Sequence, residues 1–177
     1  MKKSLRRLNQ DYVDLYLVHW PNYQIPLKET MQALEHCVNE GYTRYIGVCN
    51  YSVNLIQEAQ SYLKENYLIA NQSEYSLVSK APRVNLLPYL QETNRTLIAY
   101  SPLGRGILPR MNFKTLTEIA EKYRKTVPQV ALNWVVSQEN VVAIPKSSNP
   151  IHLLEFMDAI GWEMNLEDNI ELTNSFI

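Results

Sequence analysis

The sequence predicts an α/β fold with parallel strands: about five βα units that form part of a (β/α)8 barrel. Three observations predict it. Apolar runs of strand length alternate with helically spaced segments at intervals of roughly 25 to 45 residues, as in successive βα units. The runs are nearly unbroken by polar residues, the pattern of strands covered on both faces. Polar residues gather where the runs end, at His19, Asn50, Gln72, Ser101 and Lys146-Ser147. In a barrel those ends share one mouth, where chemistry and phosphate binding take place. The alternative, an open doubly wound sheet, is weakened because no G-x-G-x-x-G turn follows the first run.

Each element has its own signal. Tyr12–His19 (YVDLYLVH) is rich in β-branched and aromatic residues and stops at Trp20-Pro21, so it reads as a buried strand. Over Leu27–Asn39, Leu27, Met31, Leu34 and Val38 recur at helical spacing, and Gly41 follows where a helix ends. Tyr45–Val48 is a short strand. Ser52 caps a helix over Val53–Leu63, and Leu68–Ser73 is the third strand. Pro82 opens a helix running through Leu86, Leu87 and Leu90 to about Thr93. Thr96–Tyr100 is the fourth strand, broken by Ser101-Pro102-Leu103-Gly104. Helical stretches follow at Leu116–Tyr123 and Pro128–Ser137, then the fifth strand at Val141–Ile144 and a helix over Pro150–Ile160. Residues 161–177 read as a polar C-terminal tail without a period, partly ordered at best.

Composition narrows the function classes. The 177 residues carry 17 Lys and Arg against 18 Asp and Glu, a net charge of −1, which argues against a broad nucleic-acid or anionic-membrane footprint. At 46% hydrophobic residues the chain buries a real core. No apolar run approaches the roughly 18 residues of a membrane span. The basic start MKKSLRR is not followed by an apolar stretch, since Asp11 and Asp14 interrupt it. Lys2, Lys3, Arg6 and Arg7 read as a solvated helix face. Cys37 and Cys49 make no disulfide framework, so the expected setting is a reducing cytoplasm. No metal is expected, because the three histidines and two cysteines fall on separate elements without ligand spacing. His36 and His152, on helical stretches, read in isolation as solvated or packed.

Five segments then carry a resemblance. Asp11-Tyr12-Val13-Asp14-Leu15-Tyr16-Leu17-Val18-His19-Trp20-Pro21 resembles the fourth-strand motif of the aldo-keto reductases, and Ile46-Gly47-Val48-Cys49-Asn50-Tyr51 their fifth. Asn71-Gln72-Ser73-Glu74-Tyr75 resembles the sixth, Ala99-Tyr100-Ser101-Pro102-Leu103-Gly104 the seventh and Ile144-Pro145-Lys146-Ser147-Ser148 the eighth. They stand in the family's order and cover the chain to about Phe156.

The resemblance implies a nicotinamide cofactor, usually NADPH with NADH as the alternative, lying across the barrel mouth. Asn50 and Gln72 would hold the carboxamide, with Cys49 at a position usually serine, and Tyr100 would stack on the nicotinamide. Ser101, Leu103, Gly104 and Arg105 would border the pyrophosphate. Lys146 and Ser147, with Ser148 beside them, would meet the 2′-phosphate, and His152 stands where the family usually has an arginine that clamps it. Glu155 matches a glutamate near the adenine, while Phe156 replaces the usual asparagine. His19 would be the catalytic residue beside the substrate carbonyl, and Trp20 would line the substrate pocket.

Met1–Leu8 resembles the helix before the family's fourth strand, entered part-way. A complete barrel takes about 250 residues. The reading is therefore a single incomplete domain over 1–177, without the first three βα units and without the family's catalytic aspartate, tyrosine and lysine. The implied function is NAD(P)H-dependent reduction of an aldehyde or ketone to an alcohol, impaired in the chain on its own. The alternative is a non-catalytic cofactor-binding or assembly protein derived from the family, and a third reading is a truncated product without stable function. Three routes would complete the barrel: a partner chain, self-association, or a longer reductase of which this sequence is a fragment, the plainest of the three; the expected small-molecule partner is a carbonyl substrate, and neither nucleic acid nor membrane is expected.

Overall fold

The computed structural model describes residues 1–176. Contacts group them into two units: Met1–Gln72 with Tyr89–Thr96, and Ser73–Pro88 with Leu97 onward. The first unit begins with α1 (Lys2–Leu8) and β1 (Val13–Val18), then α2 (Leu27–Asn39), β2 (Thr43–Cys49), α3 (Val53–Ser61) and β3 (Leu68–Glu74), whose last two residues belong to the second unit. α2 is amphipathic as its spacing predicts and buries Met31 and Leu34. Ser52 caps α3 by accepting a hydrogen bond from the Leu55 amide at 3.3 Å.

The strands of this unit are parallel and follow chain order, β1-β2-β3. Val13 pairs with Thr43 and Val18 with Val48 across β1 and β2. Between β2 and β3 the register slips between Ile46 and Val48, after which Cys49 faces Gln72. Gly47 sits at that slip. A Cβ there would lie 2.6 Å from the Ala70 carbonyl oxygen and 2.7 Å from Leu17 Cδ2, so only glycine lets the two backbones approach. Asn71 is buried, and its side-chain amide donates to the Tyr51 carbonyl at 2.8 Å, fixing the chain as it leaves β2.

The second unit holds β4 (Thr96–Tyr100), whose first residue belongs to the first unit, then α5 (Lys114–Tyr123), α6 (Val127–Val136), β5 (Val141–Ile144), α7 (Pro150–Met157) and α8 (Leu166–Ser175). β4 and β5 are parallel, in register from Leu97–Val141 to Tyr100–Ile144. α6 is the core of the unit. A capping box between Thr126 and Gln129 starts it, and Val130, Ala131, Trp134 and Val135 are fully buried.

Three expectations are corrected here. Pro82 does not open an α-helix: Ala81–Arg83 is a single 3₁₀ turn, and α4 (Leu86–Glu92) begins later. The tail is not loosely ordered, because α8 docks through buried Asp168 and Leu172, and Phe176 beyond its end is buried too. β5 is not covered on both faces, since Val142 is 51% and Ile144 43% exposed. No helix among the described residues is long and apolar enough to cross a membrane.

Candidate active site and cofactor cavity

In the first unit the site residues sit where the strands run out. His19 follows β1 directly and is exposed, as is Trp20, against which its ring packs edge-on with centroids 6.4 Å apart. The His19 carbonyl accepts a hydrogen bond from Asn50 Nδ2 at 3.5 Å. Asn50 takes a left-handed backbone, φ 60°, and its amide donates to the Gln72 carbonyl at 2.8 Å. Three neighbouring strand ends thus present His19, Asn50 and Gln72 together. Cys49 is different: it is 1% exposed, and burial pushes its thiol up to about 11, which makes it packed and unreactive. Beside this edge a cavity of about 240 Å³ is lined by Pro21, Asn22, Tyr23, Tyr51, Leu55 and Glu58, among others.

In the second unit the chain leaves β4 through a tight loop. Ser101, Gly104, Arg105 and Gly106 all have positive φ, uncommon for serine and arginine. Gly104 has no room for a side chain, since a Cβ would lie 2.5 Å from Val78 Cγ2. Arg105 is anchored by both carboxylate oxygens of Glu74, with Nε at 3.2 Å and Nη2 at 2.8 Å. That hydrogen-bonded pair raises the Arg105 pKa further above its usual value.

The loop forms one wall of a cavity of about 890 Å³. Ser101, Leu103 and Arg105 line it from the β4 side; Lys146, Ser147, His152 and Glu155 line it from beyond β5. Ser147 Oγ accepts from the Asn149 amide at 3.0 Å and lies 3.4 Å from His152 Nδ1. His152 is therefore a wall residue of this cavity rather than a merely solvated one. Tyr100, Gly104 and Ser148 are not on its lining, and Ser148 faces solvent. Phe156 and Arg110 are on the lining but were not expected as site residues. Phe156 stands one position from Glu155 on α7, whereas nothing in its sequence context separates Arg110 from any solvent-facing arginine.

The size and chemistry of this cavity fit a nucleotide cofactor. Its volume lies in the range of small-molecule sites, about 300–1,000 Å³. A lysine with a hydroxyl donor beside it forms a compact anion seat. Among the described residues no group of three or more histidine, cysteine or acidic side chains is placed to hold a metal ion.

Comparison with known proteins agrees with this geometry. The family profile described as the Aldo/keto reductase family matches residues 1–174. The chain is 38% identical over 169 residues to glyoxal reductase of Bacillus subtilis, a match covering 94% of this chain and 58% of that protein. It is 37% identical over 153 residues to a methylglyoxal reductase of Escherichia coli, covering 85% and 54% of the two. Among solved structures, a thermostable aldo-keto reductase in complex with the inhibitor epalrestat superposes with a TM-score of 0.93 at 39% identity, over 98% of this chain and 64% of that one. An aldo/keto reductase from Klebsiella pneumoniae in complex with NADP and acetate gives 0.89 at 32% identity, over 99% and 62%. The chain belongs to the aldo/keto reductase family, and its strands and helices are those of the family's (β/α)8 barrel. It spans under two thirds of the length of these relatives.

Proposed function

We propose that the chain binds NADPH and contributes to reduction of a small carbonyl compound by hydride transfer, with turnover impaired when these 177 residues act alone. The observation that carries this reading is the cavity of about 890 Å³ walled by Lys146, Ser147, His152 and Glu155 beyond β5 and by Ser101, Leu103 and Arg105 after β4. Lys146 and Ser147 would seat the 2′-phosphate, with Ser148 at the rim. His152 would stand beside them with a weaker grip, because imidazole lacks the charged fork of arginine. Ser101, Leu103, Gly104 and Arg105 would border the pyrophosphate, and Glu155 the adenine. NADH is the alternative cofactor.

The nicotinamide supplies hydride when bound. The chain's own residues orient and polarise. Asn50 and Gln72 would fix the carboxamide through their side-chain amides, with Tyr100 against the ring and Cys49 packed behind. His19 would donate a hydrogen bond to the substrate carbonyl oxygen as negative charge grows there, and Trp20 would cover the substrate. A positioned proton donor contributes about 10²–10⁴ in rate. The family's aspartate, tyrosine and lysine positions are not among these 177 residues, so His19 and water would serve as a weaker relay.

Two further parts of the reading rest on particular residues. Half-exposed Val142 and Ile144 give β5 an apolar face that another βα unit would cover, whether from a longer form of this chain, a partner chain or a second copy. Cys37 and Cys49 are free, which suits a reducing cytoplasm.

The relatives named for glyoxal and methylglyoxal make methylglyoxal the probe. Adding it to the chain with NADPH should give slow NADPH oxidation that His19→Ala lowers further. Saturable NADPH binding without any oxidation would favour the second reading, a non-catalytic cofactor-binding protein; the exposed, unassisted His19 is what favours it here. Absence of NADPH binding would overturn both.

A further inference from the structure

Two arginines border the cavity of the second unit, and they are not in the same condition. Arg105 is held by a two-point ion pair with Glu74, whose carboxylate cancels its charge. Arg110 is exposed, and among the described residues its guanidinium has no carboxylate or carbonyl partner. Its position is nonetheless defined. The Arg110 Nε, Cζ and Nη2 atoms lie 3.6–3.8 Å from where a Cβ of Gly106 would stand, so the fork lies over a residue that has no side chain to displace it. Gly106 itself has φ +86°, a backbone that other residues rarely adopt.

Charge and side-chain shape point to the same residue. On the cavity lining Arg105 is paired with Glu74, while Lys146 and Arg110 are exposed cations with no carboxylate at ion-pair distance among the described residues. Lys146 and Arg110 are the cations on the lining left to meet an anion, and of the two only Arg110 carries a guanidinium fork. We propose that Arg110 is the guanidinium that grips a phosphate of the nucleotide, while Arg105 is a positioning residue that ties the β4 loop to Glu74. The proposal rests on the cofactor reading given above and adds to it a binding residue and a division of labour between two arginines.

The test is a set of titrations of the full chain with NADPH and NADH, using wild type, Arg110→Ala, Arg110→Lys, Arg105→Ala and Lys146→Ala. Arg110→Ala should weaken NADPH roughly tenfold or more, the loss typical of one charge-assisted bidentate contact. Arg110→Lys should recover part of it as a point charge without the fork. Arg105→Ala should cost less affinity than Arg110→Ala and should lower thermal stability instead, which the exposed Arg110 should not. Wild-type affinity should fall with added salt more steeply than that of Arg110→Ala. Equal losses for NADPH and NADH assign Arg110 to the pyrophosphate, and a loss confined to NADPH assigns it to the 2′-phosphate; both uphold the proposal. Unchanged affinity in Arg110→Ala, with Lys146→Ala weakened, would overturn it and leave the cofactor reading standing. No binding by wild type would overturn both.

Discussion

At the scale of single residues, the polar ends of the strands were legible and the reasons for their neighbours were not. His19, Asn50, Gln72, Ser101 and Lys146 stand out because a polar side chain directly after an apolar run is conspicuous in any sequence. Gly47 carries no such mark. It reads as one more small residue in a strand, and only the 2.6 Å approach of the Ala70 carbonyl shows that no side chain fits. The atom it would strike is backbone in the next strand, so relief requires β2 and β3 to part. Gly47→Ala should therefore cost about 1–3 kcal/mol, the usual range for overpacking, seen as a lower urea midpoint with unchanged slope. A midpoint equal to wild type would show that the strands can move apart freely. The phosphate role proposed for Arg110 lies at the other limit, since it is argued from Glu74 pairing with Arg105, a contact between residues 31 apart in sequence.

Among elements, α8 departs furthest from the sequence reading. Its sequence, LEDNIELTNS, has little apolar content and buries few of its residues, so periodicity could not reveal it. The cap was visible all the same: Asn165 accepts from the Asp168 amide at 2.8 Å, an Asn-x-x-Asp start with two acidic residues in the first turn. What holds the helix is long-range. Asp168 is 4% exposed and accepts from Lys122 Nζ at 2.8 Å and Tyr123 Oη at 2.6 Å. Burial alone would push its carboxyl up, but the Lys122 and Tyr123 hydrogen bonds and the lysine's charge together hold it below the ordinary aspartate value. A carboxyl depressed on folding stabilises the fold above the unfolded pKa of about 4, and that contribution is lost as pH falls through the folded value. Asp168→Asn should thus be less stable than wild type at pH 7, with the gap in unfolding free energy closing as pH falls below about 4. Lys122 is 55% exposed, so solvent screening makes the ion pair worth less than a fully buried one. A gap that stayed constant with pH would place the effect in packing and not in ionisation.

For the molecule as a whole, the order of parallel strands was legible because each βα unit writes its own local pattern, and the family followed from five strand-end motifs in sequence. How contacts divide the chain into two units, with divisions inside β3, inside α4 and after the first residue of β4, was not legible, since it depends on pairs distant in sequence. The cavity was legible only in part. Lys146-Ser147 marked one wall, but the His152–Ser147 contact and the Arg110 wall arise from how α7 and the β4 loop pack. The central claim is that this cavity is a nicotinamide-nucleotide site. Its most direct test is a fluorescence titration of the chain with NADPH, repeated with Lys146→Ala, whose exposed side chain can be removed without disturbing the core. The account predicts saturable binding by wild type and a loss of roughly tenfold in the variant, as for one charge-assisted contact to phosphate. Saturable binding that Lys146→Ala leaves unchanged, or no saturation by the folded chain, would contradict it.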